Sequence, residues 1–222
     1  MFGISHFCKK RDYFCKNQQN FIKTAGAKLK KGIRIFKFTP INQQRSTKML
    51  TIKKKMEHKT AKTDRFIKKF MNPFNQWLFL LIKLPAAWFM GVKVKLLNTE
   101  KSVVTIPYGW KSQNPFKSTY FAAQAAAAEM STGILCSLAI YDRGKISMLI
   151  TDMRAEYIKK VNKKASFTCE MGPEVFEMVQ RAIDSGEGQT LTMESIGTMP
   201  GDDGKAVVVS KFYFTWSVKA KN

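Results

Sequence analysis

Asn114-Pro-Phe-Lys-Ser-Thr-Tyr-Phe-Ala-Ala-Gln-Ala-Ala-Ala-Ala-Glu129 is the stretch from which the fold can be read. Asn before Pro marks a turn. From Phe121 to Met130 the chain is rich in alanine, the residue with the highest helix propensity. Ser118 or Thr119 is placed to cap such a helix. Its side chains are small on every side, so neighbouring backbone can approach closely. A helix of this kind needs something wrapped around it, and a sheet is the natural candidate.

The flanking sequence supplies that sheet. Before the helix, Gly109–Ser118 reads as a loop, Ser102–Tyr108 as a strand and Asn98–Glu100 as a turn. Val92, Val94 and Leu96 alternate with Lys93 and Lys95, as in a half-buried strand with a basic outer face. Further back, Asn72-Pro73 starts a helix carrying Trp77, Leu80, Leu81 and Leu84, followed after Pro85 by a short turn that ends at Gly91. After the helix, Lys145–Asp152, Ala165–Met171 and Gln189–Ile196 read as strands, with a short helix over Pro173–Ser185. In the last strand Val208, Phe212, Phe214, Trp216 and Val218 share one face, and Ser210 is the single break. The pattern is α+β, with a broad antiparallel sheet covered on one face.

Charge divides the chain. Residues 1–70 carry 20 Lys and Arg against 3 Asp and Glu, whereas residues 71–222 carry 18 against 13. Residues 1–70 are therefore expected to be a basic extension, either disordered or upstream sequence with the start at Met49 or Met56. A nucleic-acid or anionic-lipid arm is the functional alternative. Residues 71–222 are expected to be one domain, long enough to bury a core without disulfides or metal. Its two cysteines, Cys136 and Cys169, form no CxxC pair, and the only histidines, His6 and His58, precede it. A zinc site is not expected. Unpaired thiols and the lack of a secretory signal fit a cytoplasmic protein. The most apolar stretch, Trp77–Val92, is broken by Lys83 and Pro85, so no membrane partner is expected. Nothing in the domain suggests base reading of nucleic acid.

The Asn114–Glu129 stretch resembles the signature of hotdog acyl-CoA thioesterases of the phenylacetate-pathway type. In that signature an Asn is followed by Gly three residues later, then by His-Gly-Gly, then by an acid nine residues after the His. Asn114 matches the Asn and Glu129 the acid, while Tyr120 stands at the His. Lys117 replaces the first Gly, and Phe121-Ala122 replace the Gly pair. The element order is similar to a hotdog, a curved antiparallel sheet wrapped around one long central helix. Asn114-Pro-Phe and Ser131-Thr132-Gly133 more specifically resemble the domain of unknown function 4442 branch.

The resemblance implies an acyl-CoA or acyl-carrier thioester as substrate, with coenzyme A as part of it and no separate cofactor, bound by a homodimer or homotetramer. Backbone amides near Tyr120 and Phe121, at the helix N-terminus, would polarise the thioester carbonyl. Glu129 lies two and a half turns further on, nearly opposite, so the acid of one subunit would serve the site of the other as base or nucleophile. Asn114 would orient water or the carbonyl. Lys159, Lys160, Lys163 and Lys164 would receive coenzyme A phosphates, or else form a solvated turn. Tyr120 is otherwise a packing residue, Asn114 a turn residue, and Asp152 with Arg154 a strand-end ion pair. With the His and glycines replaced, the alternative is a non-catalytic acyl-binding or assembly module. The charge and aperiodicity of the front segment predict that removing residues 1–55 leaves the domain's melting temperature and solubility unchanged; thermal denaturation of the two chains checks this.

Overall fold

A computed structural model describes residues 61–221. The expectations for residues 1–60 lie outside the described residues. The elements are α1 (Ala61–Met71), α2 (Pro73–Lys83), α3 (Pro85–Met90), β1 (Lys93–Leu97), β2 (Ser102–Ile106), α4 (Phe121–Ile140), β3 (Ile146–Tyr157), β4 (Ala165–Cys169), α5 (Gly172–Ser185), β5 (Gln189–Pro200) and β6 (Ala206–Ala220). The strands form one sheet in the order β1-β2-β4-β5-β6-β3, and every neighbouring pair is antiparallel.

The centre is α4. Of its 20 residues 13 are buried, around most of its circumference, while the half-buried Ala122, Ala125, Ala126, Glu129, Ser137 and Ile140 share one face; so broad a buried arc requires an enclosing structure. Strands β1, β2, β4, β5 and β6 all touch it, and α5 packs beside it on the same face of the sheet. By length and composition alone this helix is apolar enough to cross a membrane; in the fold it is the core. Its buried hydroxyls are paired. Ser131 Oγ donates to Ala128 O at 2.7 Å and meets Ser195 Oγ of β5 at 2.8 Å, while Ser102 of β2 donates to Ser131 O.

The strands carry three register shifts, between Val94 and Leu96, Ile150 and Asp152, and Gly197 and Thr198, and two of these β-bulges alter the expected alternation. In β1 the register shifts between Val94 and Leu96, so Leu97 turns inward and Leu96 outward. In β6, Gly197 pairs with Ser210 but Thr198 pairs with Val208. Val209 is the extra residue and is fully buried, whereas Val208 is exposed. A bulge inserts one residue and reverses the side chains beyond it, which strict alternation does not reveal. Strand β3 runs on to Tyr157, past the expected Asp152. It borders the sheet and is mostly exposed, so it lacks a hydrophobic repeat. Arg154 there pairs with Glu156 at 2.8 Å and stacks on Tyr213; the expected Asp152–Arg154 pair gives way to this one.

Regular structure is present before Met71 as well, in α1. On α1, Phe70 is buried, and Phe66 packs on Tyr141 at 4.9 Å between ring centres. The four-residue spacing of these two aromatics was hidden among lysines. Asn72 caps α2 as expected, its Oδ1 accepting from Phe74 N and Asn75 N. Helix α2 is pinned to the sheet edge by Gln76, whose side chain donates to Val94 O and accepts from Val94 N, at 3.1 and 3.0 Å.

At the start of α5, Gly172 N donates to Glu100 O at 2.9 Å. A methyl group at Gly172 would lie 2.7 Å from the Glu100 carbonyl and closer still to Thr99 O. The obstacle is backbone, so it does not yield as a side chain would. Gly172→Ala is therefore expected to cost about 2 kcal/mol or more in urea denaturation. Gly188→Ala, where nothing lies within 4 Å, is the near-neutral control.

Candidate functional site

The loop before α4 is built on Asn114. Its Oδ1 accepts from Phe116 N, Ser118 N and Ser118 Oγ at 3.0–3.2 Å, and Asn114 N donates to Ser118 O. Three bonds on one amide oxygen close a tight turn. Lys117 sits inside that turn at φ 54°, left-handed backbone that glycine adopts without strain. A glycine at this position of the resembled signature thus has a conformational reason. The loop is then tied to the domain: Thr119 N donates to Val161 O and Tyr120 N to Ser112 O, both at 2.7 Å.

These ties shape an open cleft of about 800 Å³ at the N-terminal end of α4. Asn114, Phe116, Tyr120 and Phe121 line one part, and Tyr157, Lys159 and Lys160 another. Tyr120 and Phe121 are about half exposed, and their rings meet edge-on at 4.8 Å. The side chain of Tyr120 makes no cap hydrogen bond, and neither Ser118 nor Thr119 is the N-cap residue, because Tyr120 itself holds that place. Its amide is occupied by Ser112, so it is no free donor. The amides of Phe121 and Ala122, in the first turn, have no acceptor among the described residues. They are the donors a carbonyl oxygen would meet.

Two further groups belong to the cleft, one that the sequence reading passed over and one it read only as a helix cap. Gln124 and Thr119 are nearly fully buried and line it. Gln124 Nε2 donates to Thr119 O at 3.1 Å, but Gln124 Oε1 and Thr119 Oγ1 have no partner among the described residues. Buried polar atoms of this kind are scarce and need an explanation. A polar residue inside an alanine run was the available signal.

The four lysines separate. Lys159 and Lys160 line the cleft, and Ile158 N and Lys159 N both donate to Val209 O, which fixes this segment on β6. Lys163 instead pairs with Asp202 at 2.8 Å, and that hydrogen bond holds the Asp202 carboxyl below its ordinary value. Lys163 and Lys164 do not line the cleft.

Glu129 lies elsewhere. It is nine residues along α4 from Tyr120, about 13 Å along the axis and half a rotation away, and it does not line the cleft. The turn after it explains Ser131-Thr132-Gly133. Thr132 Oγ1 donates to Glu129 O at 3.0 Å and accepts from Trp216 Nε1 at 2.9 Å. A methyl at Gly133 would lie 3.2 Å from Trp216 Cζ2 and 3.3 Å from Glu129 Oε1. Gly133 thus makes room for both the indole and the carboxylate. Burial pushes the Glu129 carboxyl above its ordinary value. Burial also pushes the thiols of Cys136 and Cys169 up to about 12, so neither is a thiolate nucleophile near neutral pH.

Comparison with known proteins follows this geometry. The family model described as "Domain of unknown function (DUF4442)" matches residues 76–216. A comparison with curated proteins gives no match. Among solved structures, a Chlorobaculum tepidum TLS protein of unknown function superposes with a TM-score of 0.56 at 15% identity, covering 67% of this chain and 97% of its own. A Pseudomonas aeruginosa protein of unknown function, described as "Probable Thioesterase", gives 0.54 at 14% identity, with 67% and 97% covered. The six-stranded antiparallel sheet around one long helix is a hotdog fold.

Glu129 generates a pH test. A carboxyl whose folded pKa is raised binds its proton more tightly folded than unfolded, so its ionisation removes stability as pH rises through the unfolded value. Glu129→Gln is expected to raise the melting temperature at pH 7. The gain should vanish below about pH 4, where both states are protonated. Thermal melts of both proteins across this range check the sign.

Proposed function

The chain belongs to the DUF4442 family, and from that premise we propose that it binds and hydrolyses acyl thioesters at a site shared between two subunits. The observation that carries this reading is the cleft at the start of α4, where unpaired amides and the unpartnered Gln124 Oε1 and Thr119 Oγ1 converge. It combines an apolar lining with a few fixed polar groups, as small-molecule sites do.

In this reading the thioester carbonyl oxygen meets the amides of Phe121 and Ala122, and the helix dipole favours the charge that develops there. The acyl group lies along Tyr120 and Phe121. Lys159 and Lys160 take the phosphates of a coenzyme A or acyl-carrier moiety. The carboxylate of Glu129 from a second subunit takes a proton from water as that water attacks the carbonyl carbon. The tetrahedral intermediate collapses, the C–S bond breaks, and the proton passes to the leaving thiolate. A carboxylate with a raised pKa is a better base near neutrality. Asn114 serves by holding the loop, because its amide oxygen is engaged within the turn. Pairing is favoured by β3, a 12-residue strand at the sheet border whose free edge is a template for a second copy.

One observation favours the non-catalytic reading: Tyr120 N, beside the expected oxyanion position, is consumed by Ser112 O. Turnover separates the two. With aromatic and medium-chain acyl-CoA, Glu129→Gln is expected to lower kcat by roughly 100- to 10,000-fold while binding persists. Tyr120→Phe should cost less, because amides rather than the phenol hold the oxyanion. A wild type that binds acyl-CoA without turnover would establish the binding module. Activity undiminished in Glu129→Gln would reject Glu129 as the base.

A further inference from the structure

The pair α2–α3 presents an apolar surface that the domain does not use. Helix α2 is apolar around most of its circumference, yet among its residues only Gln76 and Leu80 are buried. Phe74 and Ile82 are 66% and 62% exposed. Helix α3 adds Phe89, whose ring meets that of the solvent-exposed Trp110 edge-on at 5.8 Å. A helix hydrophobic all round belongs in a second apolar environment.

The charges around this surface identify that environment. From residue 65 to residue 99 the chain carries six Lys and Arg and no Asp or Glu. Lys93 and Lys95 point outward from β1 beside α2, and Lys83 ends α2. Lys111 Nζ lies 5.2 Å from the centre of Phe89 and 5.7 Å from that of Trp110. Protein–protein interfaces are depleted of lysine. Exposed Trp and Phe with lysines beside them, on helices α2 and α3 that carry no carboxylate, is instead the composition of a helix lying in the interface of an anionic membrane.

Although Trp77–Val92, broken by Lys83 and Pro85, suggests no membrane partner from sequence, we propose that α2–α3 and Trp110 dock on the surface of an anionic bilayer, with the aromatic side chains at the headgroup–acyl boundary and the lysines on lipid phosphates. This surface adjoins the cleft through a single loop: Trp110 contacts Phe89, and Phe116, six residues further on, lines the cleft. An acyl substrate held in the bilayer would thus lie beside the cleft mouth. The docking itself does not depend on the hydrolytic reading.

The test uses the full chain with vesicles of phosphatidylcholine alone or mixed with phosphatidylglycerol, some carrying brominated acyl chains. Wild type is expected to float with the anionic vesicles only, its tryptophan fluorescence quenched by bromine. The combined variant Phe74→Ser, Ile82→Ser, Phe89→Ser keeps every tryptophan as a reporter and changes only exposed side chains. It should keep its melting temperature, partition roughly tenfold or more weakly and lose the quenching. Wild type that fails to bind overturns the proposal. So does a variant that binds and is quenched as wild type is, since adhesion would then come from charge elsewhere. So does a variant that only dissociates an oligomer in light scattering, which would make the surface a subunit contact.

Discussion

A central helix buried around most of its circumference is the constraint from which this architecture follows. Where α4 is enclosed, buried polar groups other than Gln124 Oε1 are answered inside the fold. Ser131 is answered by Ser195 of β5, its carbonyl by Ser102 of β2, and Thr132 by Trp216 of β6. These bonds are individually modest, about 1 kcal/mol each, but they reach three different strands. They therefore fix the rotation and height of α4 in the sheet, which apolar packing of alanines alone would leave loosely specified. Gly133 completes the arrangement by letting the Trp216 ring approach the helix.

The candidate site inherits its geometry from that placement. Once α4 is fixed, its N-terminal amides lie where the 109–120 loop returns, and the Asn114 turn holds the loop there. The same enclosure partly buries Glu129 in an otherwise apolar run and raises its pKa. A partly buried carboxyl with a raised pKa is the kind of group the proposed function uses as a base. One rigid helix thus carries both the donor end and the acid, on opposite sides. Neither can reach the other within one subunit, so a two-fold arrangement is the economical way to unite them.

Much of this was legible in the sequence because it depended on local periodicity. The alanine run, the Asn72 cap, the β6 alternation at Phe212, Phe214, Trp216 and Val218, and the order of elements all repeat at helix or strand spacing. The two bulges were not legible, since a one-residue insertion is set by the partner strand: Val209 is buried because Gly197 faces Ser210, not because of its own neighbours. Strand β3 was truncated in the sequence reading because a border strand lacks a buried face, and α1 was lost because two aromatics among lysines make a weak signal. At the site, Glu129, Tyr120 and Phe121 stood out by position. Gln124 and Thr119 did not, because an unsatisfied buried atom is a property of three-dimensional surroundings. The division of the four lysines likewise depends on Asp202, which lies at the distant β5–β6 turn.

The departures from the resembled signature now have separable meanings. Lys117 occupies left-handed backbone at φ 54°, a strain of order 1 kcal/mol or more for a residue with a side chain. It persists because the Asn114 bonds over-determine the turn, so losing that glycine need not disturb the loop. Phe121 is different in kind. Its ring is exposed at the cleft mouth and packs on Tyr120, so it does not fill the space before the first-turn amides as a buried ring would. In the proposed function that aromatic pair would flank an acyl chain, and close approach to the first-turn amides would pass over Ala122, the smallest chiral residue available. Backbone donors survive such replacements because they do not depend on side-chain identity. The imidazole of the resembled signature has no such substitute at Tyr120, so the departure that bears on chemistry is one side chain, while the fold and its backbone donors are unaffected.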